Sequence, residues 1–450
     1  MSRWMRVALV LGDLICLHLG YLVAFLLRFR GSLPPENWSA YLELAPWLTL
    51  AALLFLYVYS LTLPRRQRWA EIFSSLICVV ALLFLSGLSL SYIMQTYAFP
   101  RSVFFLAAVL QLVFLASWRR ALWTWILRRH GPLALLIVGP WDEASKRREQ
   151  LEKHRPLLFQ VRGIVTDTVP PDRREDSSIS LATYDELPVV LERLQPEGVL
   201  FCSSVPLEER SRLMAKAVAQ GTSVFLIPRL EDLLLAGASM EPLNGIPAFR
   251  ILGLQEMAVG GWKRLLDFAL ALVLAVPALP IILLAALAVK LDSPGAPAFY
   301  VQERVGRGGR VFRLIKLRTM VPEAEKDTGP VLATRDDPRL TRVGRFLRAT
   351  RIDELPQLWN VLKGDMSFVG PRPERPFFVS QLEREIPGYY LRHCLPPGIT
   401  GLAQVEGEYS TPPEDKLRYD LLYARSASLL TDLRIILRTL SVMMLRDKAS

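Results

Sequence analysis

Apolar residues gather in four nearly uninterrupted blocks over the first third of the chain, at residues 7–27, 44–61, 72–93 and 103–122. Each is about 18–22 residues long, the length an α-helix needs to cross the hydrocarbon core of a bilayer. The pattern predicts a membrane α-helical bundle of four spans within residues 1–130. The first block runs directly into the arginines of LLRFR and is too long for the apolar stretch of a cleaved signal peptide. Basic residues orient the bundle. Arg3 and Arg6 precede the first block, Arg65, Arg66 and Arg68 separate the second from the third, and Arg119, Arg120, Arg128 and Arg129 follow the fourth. The loop MQTYAFPRS holds a single arginine. Arg28 and Arg30 run against this trend, but the balance predicts both ends of the bundle on the cytoplasmic side. Asp13 and His18 lie inside the first block, where interhelical hydrogen bonding is the expected role and a functional polar pair the alternative.

From residue 131 the pattern changes to short apolar runs alternating with amphipathic ones. LALLIVGP (133–140) reads as a buried strand, WDEASKRREQLEKH as a helix and FQVRGIVTD as a second strand. EGVLFCSS (197–204), the helix PLEERSRLMAKAVAQG and TSVFLIP continue the alternation. A Rossmann-like α/β domain over residues 131–240 follows. Its glycine loop is only Gly139 and Pro140, where a dinucleotide site requires G-x-G-x-x-G, so a regulatory or assembly role is expected before cofactor binding. Residues 241–261 read as a linker.

A fifth apolar block, residues 265–289, is long enough to span but carries Pro277 and Pro280 at its centre and basic residues at both flanks, Lys263 and Arg264 before it and Lys290 after it. A mid-helix proline costs about 3 kcal/mol unless a kink is wanted. A break at Pro277 that turns the chain back, as a re-entrant helix over 264–290, is one reading; a kinked fifth span is the other. Asp267, one turn in, would stay near the headgroups or pair with a basic neighbour.

Composition sharpens this picture. The chain has 450 residues, is 51% hydrophobic and carries a formal charge of +11, which suits an anionic partner such as lipid headgroups or phosphorylated substrates. No basic run interleaved with aromatics is present, so nucleic acid is not expected. The four cysteines and the four histidines, His18, His130, His154 and His393, are dispersed, which argues against a disulfide framework or a zinc site.

The densest chemistry lies in residues 262–450. VQERVGRGGRVFRLIKLRTM (301–320) reads as a glycine-punctuated turn leading into a strand with cationic tips. DDPRLTRVGRFLRAT (336–350) predicts an amphipathic helix with arginines at 339, 342, 345 and 348, facing either an anionic membrane or solvent. RIDELPQLWNVLKGDMSFVGPRP sets Asp353 beside Glu354 at a helix start, about 100° apart around the axis. On spacing alone Asp353 is an N-cap over an acidic first turn. Alternatively one carboxylate attacks phosphorus while the other holds Mg²⁺, with Lys316, Arg318, Arg348 and a proline-clamped Arg372 supplying anion contacts.

DELPQLWNVLKGDMSFVGPRP, KLRTM and PGITGLAQVEG resemble the bacterial sugar transferase family, the monotopic polyprenyl-phosphate phosphoglycosyl transferases. The four spans and the Rossmann-like domain are similar to its large, exopolysaccharide- and O-antigen-initiating branch. The resemblance implies a mixed α/β catalytic domain with a re-entrant membrane helix around Pro277, on the cytoplasmic face of the bacterial inner membrane. It implies transfer of a phosphosugar from a UDP-sugar to undecaprenyl phosphate with release of UMP. Asp353 would be the nucleophile, forming an aspartyl-phosphosugar intermediate, and Glu354 and Asp420 would be the Mg²⁺ ligands. Lys316, Arg318, Arg348, Arg372 and Gln404 would contact substrate, and a homodimer is expected. The chain departs from the family at Pro396, where a basic residue is usual, at Leu402, where tryptophan is common, and at Arg351, where a small polar residue is usual. A non-catalytic membrane scaffold of polysaccharide assembly is the alternative function; a transporter is disfavoured, since few intramembrane charges offer an ion pathway.

Overall fold

The computed structural model describes residues 3–61, 67–154, 158–169, 179–243, 246–251, 253, 261–326, 329, 337–408 and 410–445. Arg65 and Arg66, part of the orientation argument, and residues 244–245, 252 and 254–260 of the expected linker lie outside the described residues. Two compact units are present, Met1–Arg229 and Leu230–Ser450.

The first unit opens with four helices, α1 (Arg3–Arg28), α2 (Pro35–Val58), α3 (Trp69–Ile93) and α4 (Arg101–His130), each long and apolar enough to cross a membrane. α2 begins nine residues before its apolar block because Pro35 fits the first turn, where no amide partner is needed. α4 outruns its block through WTWILRRH and stops at Gly131, whose φ of 65° closes the helix. Asp13 and His18 do not pair with each other. Arg119 donates from Nε to Asp13 Oδ1 at 2.8 Å and from Nη2 to the Leu61 carbonyl at 2.7 Å. His18 meets the hydroxyls of Tyr41 and Thr49 at 2.7 and 2.9 Å. Arg119 is thus a buried counter-ion between helices rather than a loop charge.

The α/β part comprises β1 (Leu133–Val138), α5 (Trp141–His154), β2 (Phe159–Thr166), β3 (Ser180–Thr183), α6 (Leu187–Leu194), β4 (Gly198–Phe201), α7 (Leu207–Ala219) and β5 (Ser223–Leu226). The strands form one all-parallel sheet in the order β3-β2-β1-β4-β5. Successive β1 side chains enter opposite cores, Leu136 and Val138 into one and Ile137 into the other, as a sheet covered on both faces requires. In such sheets ligands enter the crevice where strand order reverses, here between β1 and β4. At that point Glu143 bridges the two strand ends. Glu143 accepts from the Ser203 and Ser204 amides at 3.2 and 3.0 Å and from the Ser203 hydroxyl at 2.9 Å. A Cβ on Gly139 would lie 2.5 Å from Cys202 Cβ, so this glycine serves strand–strand packing.

The second unit starts with α8 (Leu230–Leu235) and the antiparallel pair β6 (Ser239–Leu243) and β7 (Ile246–Arg250). Leu233 joins the C-terminal core, and the first unit ends at Arg229, eleven residues before the expected domain end at 240. α9 (Gly261–Asp292) follows, then the hairpin β8 (Phe299–Val305) and β9 (Val311–Leu317), α10 (Arg342–Thr350), α11 (Gln357–Lys363), β10 (Ser367–Val369), α12 (Pro376–Glu385), β11 (Gly398–Thr400), α13 (Leu402–Glu406), α14 (Pro413–Ser426) and α15 (Leu429–Met443).

α9 continues as one helix through Pro277 and Pro280, so a turn of the chain there is a bend within the helix and not its end. Each proline removes one amide donor without ending the helix. Both ends nevertheless bind the same α/β domain. At the first turns Lys263 pairs with Asp432, Arg264 donates to the Val361 and Leu362 carbonyls at 2.5 and 2.6 Å, and Asp267 accepts from the Phe368 amide at 3.0 Å. At the other end Ala285 and Val289 pack with Leu317 and Leu347, and Asp292 accepts from the Val343 amide. Between these anchors Val273, Val276, Leu279 and Leu284 are exposed.

The basic helix is shorter than its charge pattern predicts. Asp337 takes the Arg339 guanidinium at 2.8 and 2.6 Å in a turn, and Thr341 caps the Gly344 amide at 2.9 Å, so helix begins only at Arg342.

Candidate active site

The site is assembled by β9, the end of α10 and the turn that follows. Leu317, fully buried, pins β9 against α9 and α10, and by strand alternation Lys316 and Arg318 face the other way into a cavity of about 400 Å³. Tyr300, Gln302, Arg304, Arg339, Arg348, Glu374, Arg375 and Phe378 contribute further to its wall. Arg304 Nε, Arg318 Nε and Arg339 Nη1 are buried with no hydrogen-bond partner among the described residues. Uncompensated buried N–H donors on guanidinium groups favour an anionic ligand.

α10 ends on Arg351, whose φ of 56° reverses the chain into a 3-10 turn over Ile352–Glu354. That turn carries the two carboxylates. Neither makes a side-chain cap; α11 starts on Pro356 without one, so the N-cap reading of Asp353 does not hold. Asp353 is 7% exposed. Burial and the neighbouring Glu354 charge push its carboxyl up to about 6, against the pull of Lys316, Arg348 and Arg372. For Glu354 burial acts upward as well, but Arg372, Arg351 and Lys316 outweigh it and hold the group below its ordinary range. Arg372 Nη2 donates to Glu354 Oε1 at 3.0 Å. The neighbours therefore differ: one carboxylate is firmly ionised, the other poised near neutrality. Burial, with help from Arg304, brings the Lys316 amine down to about 8, and its Nζ lies 5.3 Å from the Tyr300 ring centre.

Arg372 sits on a fixed loop. A Cβ on Gly370 would lie 2.2 Å from the Pro396 carbonyl, so only glycine allows the β10 and β11 segments to approach this closely. Pro396 makes this contact through its backbone carbonyl.

Asn360, 1% exposed, stitches α11 to β9: its Oδ1 accepts from the Ile315 amide at 3.1 Å and its Nδ2 donates to the Arg313 carbonyl at 2.8 Å. Asn360→Ala would orphan both groups and is expected to cost about 2–4 kcal/mol, read as a lower midpoint in thermal unfolding. An unchanged midpoint would contradict this role.

The structure thus brings together Asp353, Glu354, Lys316, Arg318, Arg348 and Arg372. Gln404 stands apart from the cavity wall, its Nε2 donating to the Ile399 carbonyl at 3.1 Å. Asp420 is paired with Arg392, which donates to it from Nε at 2.9 Å and from Nη2 at 2.8 Å. Among the described residues no three His, Cys, Asp or Glu side chains group as a metal site. Mg²⁺ needs few protein ligands, and the ionised Glu354 is a suitable hard oxygen donor beside substrate phosphates. Sequence reasoning missed Arg304, Asn360 and Arg392, whose partners Pro373, Arg313 and Asp420 are set by tertiary packing without a local signal; Arg339, read as part of the basic helix, instead lines the cavity from a turn held by Asp337.

A family model described as bacterial sugar transferase matches residues 258–446. The UDP-glucose:undecaprenyl-phosphate glucose-1-phosphate transferase of Escherichia coli K12 is 40% identical over 325 residues, 70% of this chain and 68% of that protein. The UDP-galactose-lipid carrier transferase of Erwinia amylovora is 35% identical over 383 residues, 74% and 78% of the two chains. The UDP-N-acetylgalactosamine-undecaprenyl-phosphate N-acetylgalactosaminephosphotransferase of Aeromonas hydrophila is 47% identical over 182 residues, 40% of this chain but only 42% of that protein's length. Similarity of this degree over this much of both chains establishes that the chain belongs to the bacterial sugar transferase family.

Proposed function

We propose that the protein transfers a sugar 1-phosphate from a UDP-sugar to undecaprenyl phosphate with release of UMP, the first membrane step of polysaccharide assembly. The observation that carries this is the cationic cavity, which shares Lys316 and Arg348 with the buried Asp353. The cavity receives the nucleoside diphosphate, whose charge the arginines and Lys316 offset. The Asp353 carboxylate attacks the β-phosphorus; the bond to the bridging oxygen breaks, and UMP leaves with that electron pair. An aspartyl-phosphosugar remains. The lipid phosphate then attacks the same phosphorus, the bond to Asp353 breaks, and the carboxylate is restored. Arg372 holds the anionic phosphoryl oxygens and Glu354. Mg²⁺ held by Glu354 would supply neutralising charge at the phosphates.

The catalytic domain works at the cytoplasmic headgroup plane of the bacterial inner membrane. Attachment of both ends of α9 to one domain supports a helix that enters the bilayer and returns, which keeps the site where a soluble nucleotide and a lipid phosphate meet. The parallel sheet of the first unit is a Rossmann-type domain whose crevice, bridged by Glu143, serves assembly or regulation rather than nucleotide binding.

The test is UMP release by the purified protein in lipid nanodiscs with undecaprenyl phosphate and Mg²⁺, over a panel of UDP-glucose, UDP-galactose and UDP-N-acetylgalactosamine. Release with at least one donor is expected. Silence across a widened panel, with folded protein and a working control enzyme, would favour a scaffold instead.

A further inference from the structure

Four consecutive carbonyls around Arg372 each accept a hydrogen bond. Pro371 accepts from the Gly398 amide at 2.9 Å, Arg372 from Arg392 Nη2 at 3.1 Å, Pro373 from Arg304 Nη1 at 3.0 Å, and Glu374 from the Val305 amide at 2.9 Å. Prolines on either side fix the backbone further. The Arg372 side chain reaches outward from this segment, 45% exposed and bonded to Glu354.

Arg392 is 5% exposed, and each of its guanidinium nitrogens is engaged: Nε and Nη2 meet Asp420 Oδ2, Nη1 donates to the Tyr389 hydroxyl at 2.5 Å, and Nη2 also reaches the Arg372 carbonyl. A guanidinium buried this deeply needs a counter-charge, and Asp420, 3% exposed, supplies it. Removing that charge frees Arg392 to reorient and releases the Arg372 carbonyl.

We infer that Asp420 and Arg392 are positioning residues for the Arg372 phosphate clamp, and that Asp420 acts through Arg392 and not as a metal ligand. This rests on the transferase reading above. It assigns Asp420 a task that its carboxylate chemistry alone leaves open between a cation and an arginine. A metal ligand and a clamp support answer differently to metal concentration and to loss of Arg372, which makes them separable.

The experiment is a double-mutant cycle on the full chain in nanodiscs, using whichever UDP-sugar the wild type accepts: Asp420→Asn, Arg372→Ala and the pair, each measured for kcat, KM and half-activating Mg²⁺. Asp420→Asn is expected to lower kcat about 10- to 100-fold while half-activating Mg²⁺ stays within about twofold. In the Arg372→Ala background the same change is expected to cost less than about threefold, because the group it positions is gone. Multiplicative losses, or a half-activating Mg²⁺ raised about tenfold or more, would overturn the inference. Should Asp420→Asn fail to fold, Tyr389→Phe replaces it in the same cycle. A kcat loss that vanishes without Arg372 supports the relay; no loss, or one that persists, overturns it. A wild type silent with every donor would remove the transferase reading and this inference with it. An active wild type with a multiplicative cycle removes the positioning role alone.

Discussion

Asp353→Asn is expected to lower turnover by about three orders of magnitude or more while making the folded protein more stable. The loss follows from the role: an amide is no nucleophile toward phosphorus, and cavity binding alone does not replace the step. The gain follows from burial. The Asp353 carboxyl stands at about 6 in the folded protein against an ordinary 3.8. A raised folded pKa means that the folded state holds the proton more tightly, so stability is lost as pH climbs from about 4 to about 6 and stays low above. At pH 7 the ionised group therefore costs roughly 1–3 kcal/mol, which asparagine removes. UMP release and thermal unfolding in the same nanodiscs read both effects. Preserved turnover would remove Asp353 as nucleophile; a lowered melting temperature would contradict the buried-charge account.

Lys316→Met is expected to reduce kcat/KM about 100- to 1,000-fold and to reshape the pH profile. The amine lines the cavity, and its charge also holds the Asp353 pKa down. In the wild type, rate should rise through about pH 6 as Asp353 ionises and fall through about pH 8 as Lys316 loses its proton and its grip on phosphate. Methionine keeps the bulk but removes both influences. The alkaline limb should vanish, and the acid limb should move to higher pH because Asp353 has lost an opposing positive charge. A profile for the variant that matches the wild type would place Lys316 outside the reaction.

The chain's own pattern made some of this readable. Hydrophobic blocks of span length gave α1 to α4, since bilayer thickness imposes a length that composition alone reveals. Adjacent carboxylates followed by GPRP pointed to Asp353, Glu354 and Arg372, which the fold does bring together, because all three lie in one short stretch. Elsewhere the deciding partner was distant. Asp13 meets Arg119 across 106 residues, and Asp420 meets Arg392 across 28, so neither pairing left a local trace. The helix expected over 336–350 failed for a local reason: Asp337 and Thr341 make turn and cap bonds that compete with helix, and the arginine spacing conceals this. The bond from Glu143 to the Ser203 and Ser204 amides, 60 and 61 residues away, was equally hidden.

The central claim is a covalent step at Asp353, and label transfer tests it most directly. The protein in nanodiscs free of undecaprenyl phosphate would be mixed with a UDP-sugar labelled at the β-phosphorus, quenched rapidly and digested. The account predicts label on the peptide that contains Asp353, with about one UMP released per active site, and loss of that label when undecaprenyl phosphate is added. Full turnover with lipid present, but no label on protein and no UMP released without it, would mean direct transfer and would contradict the account.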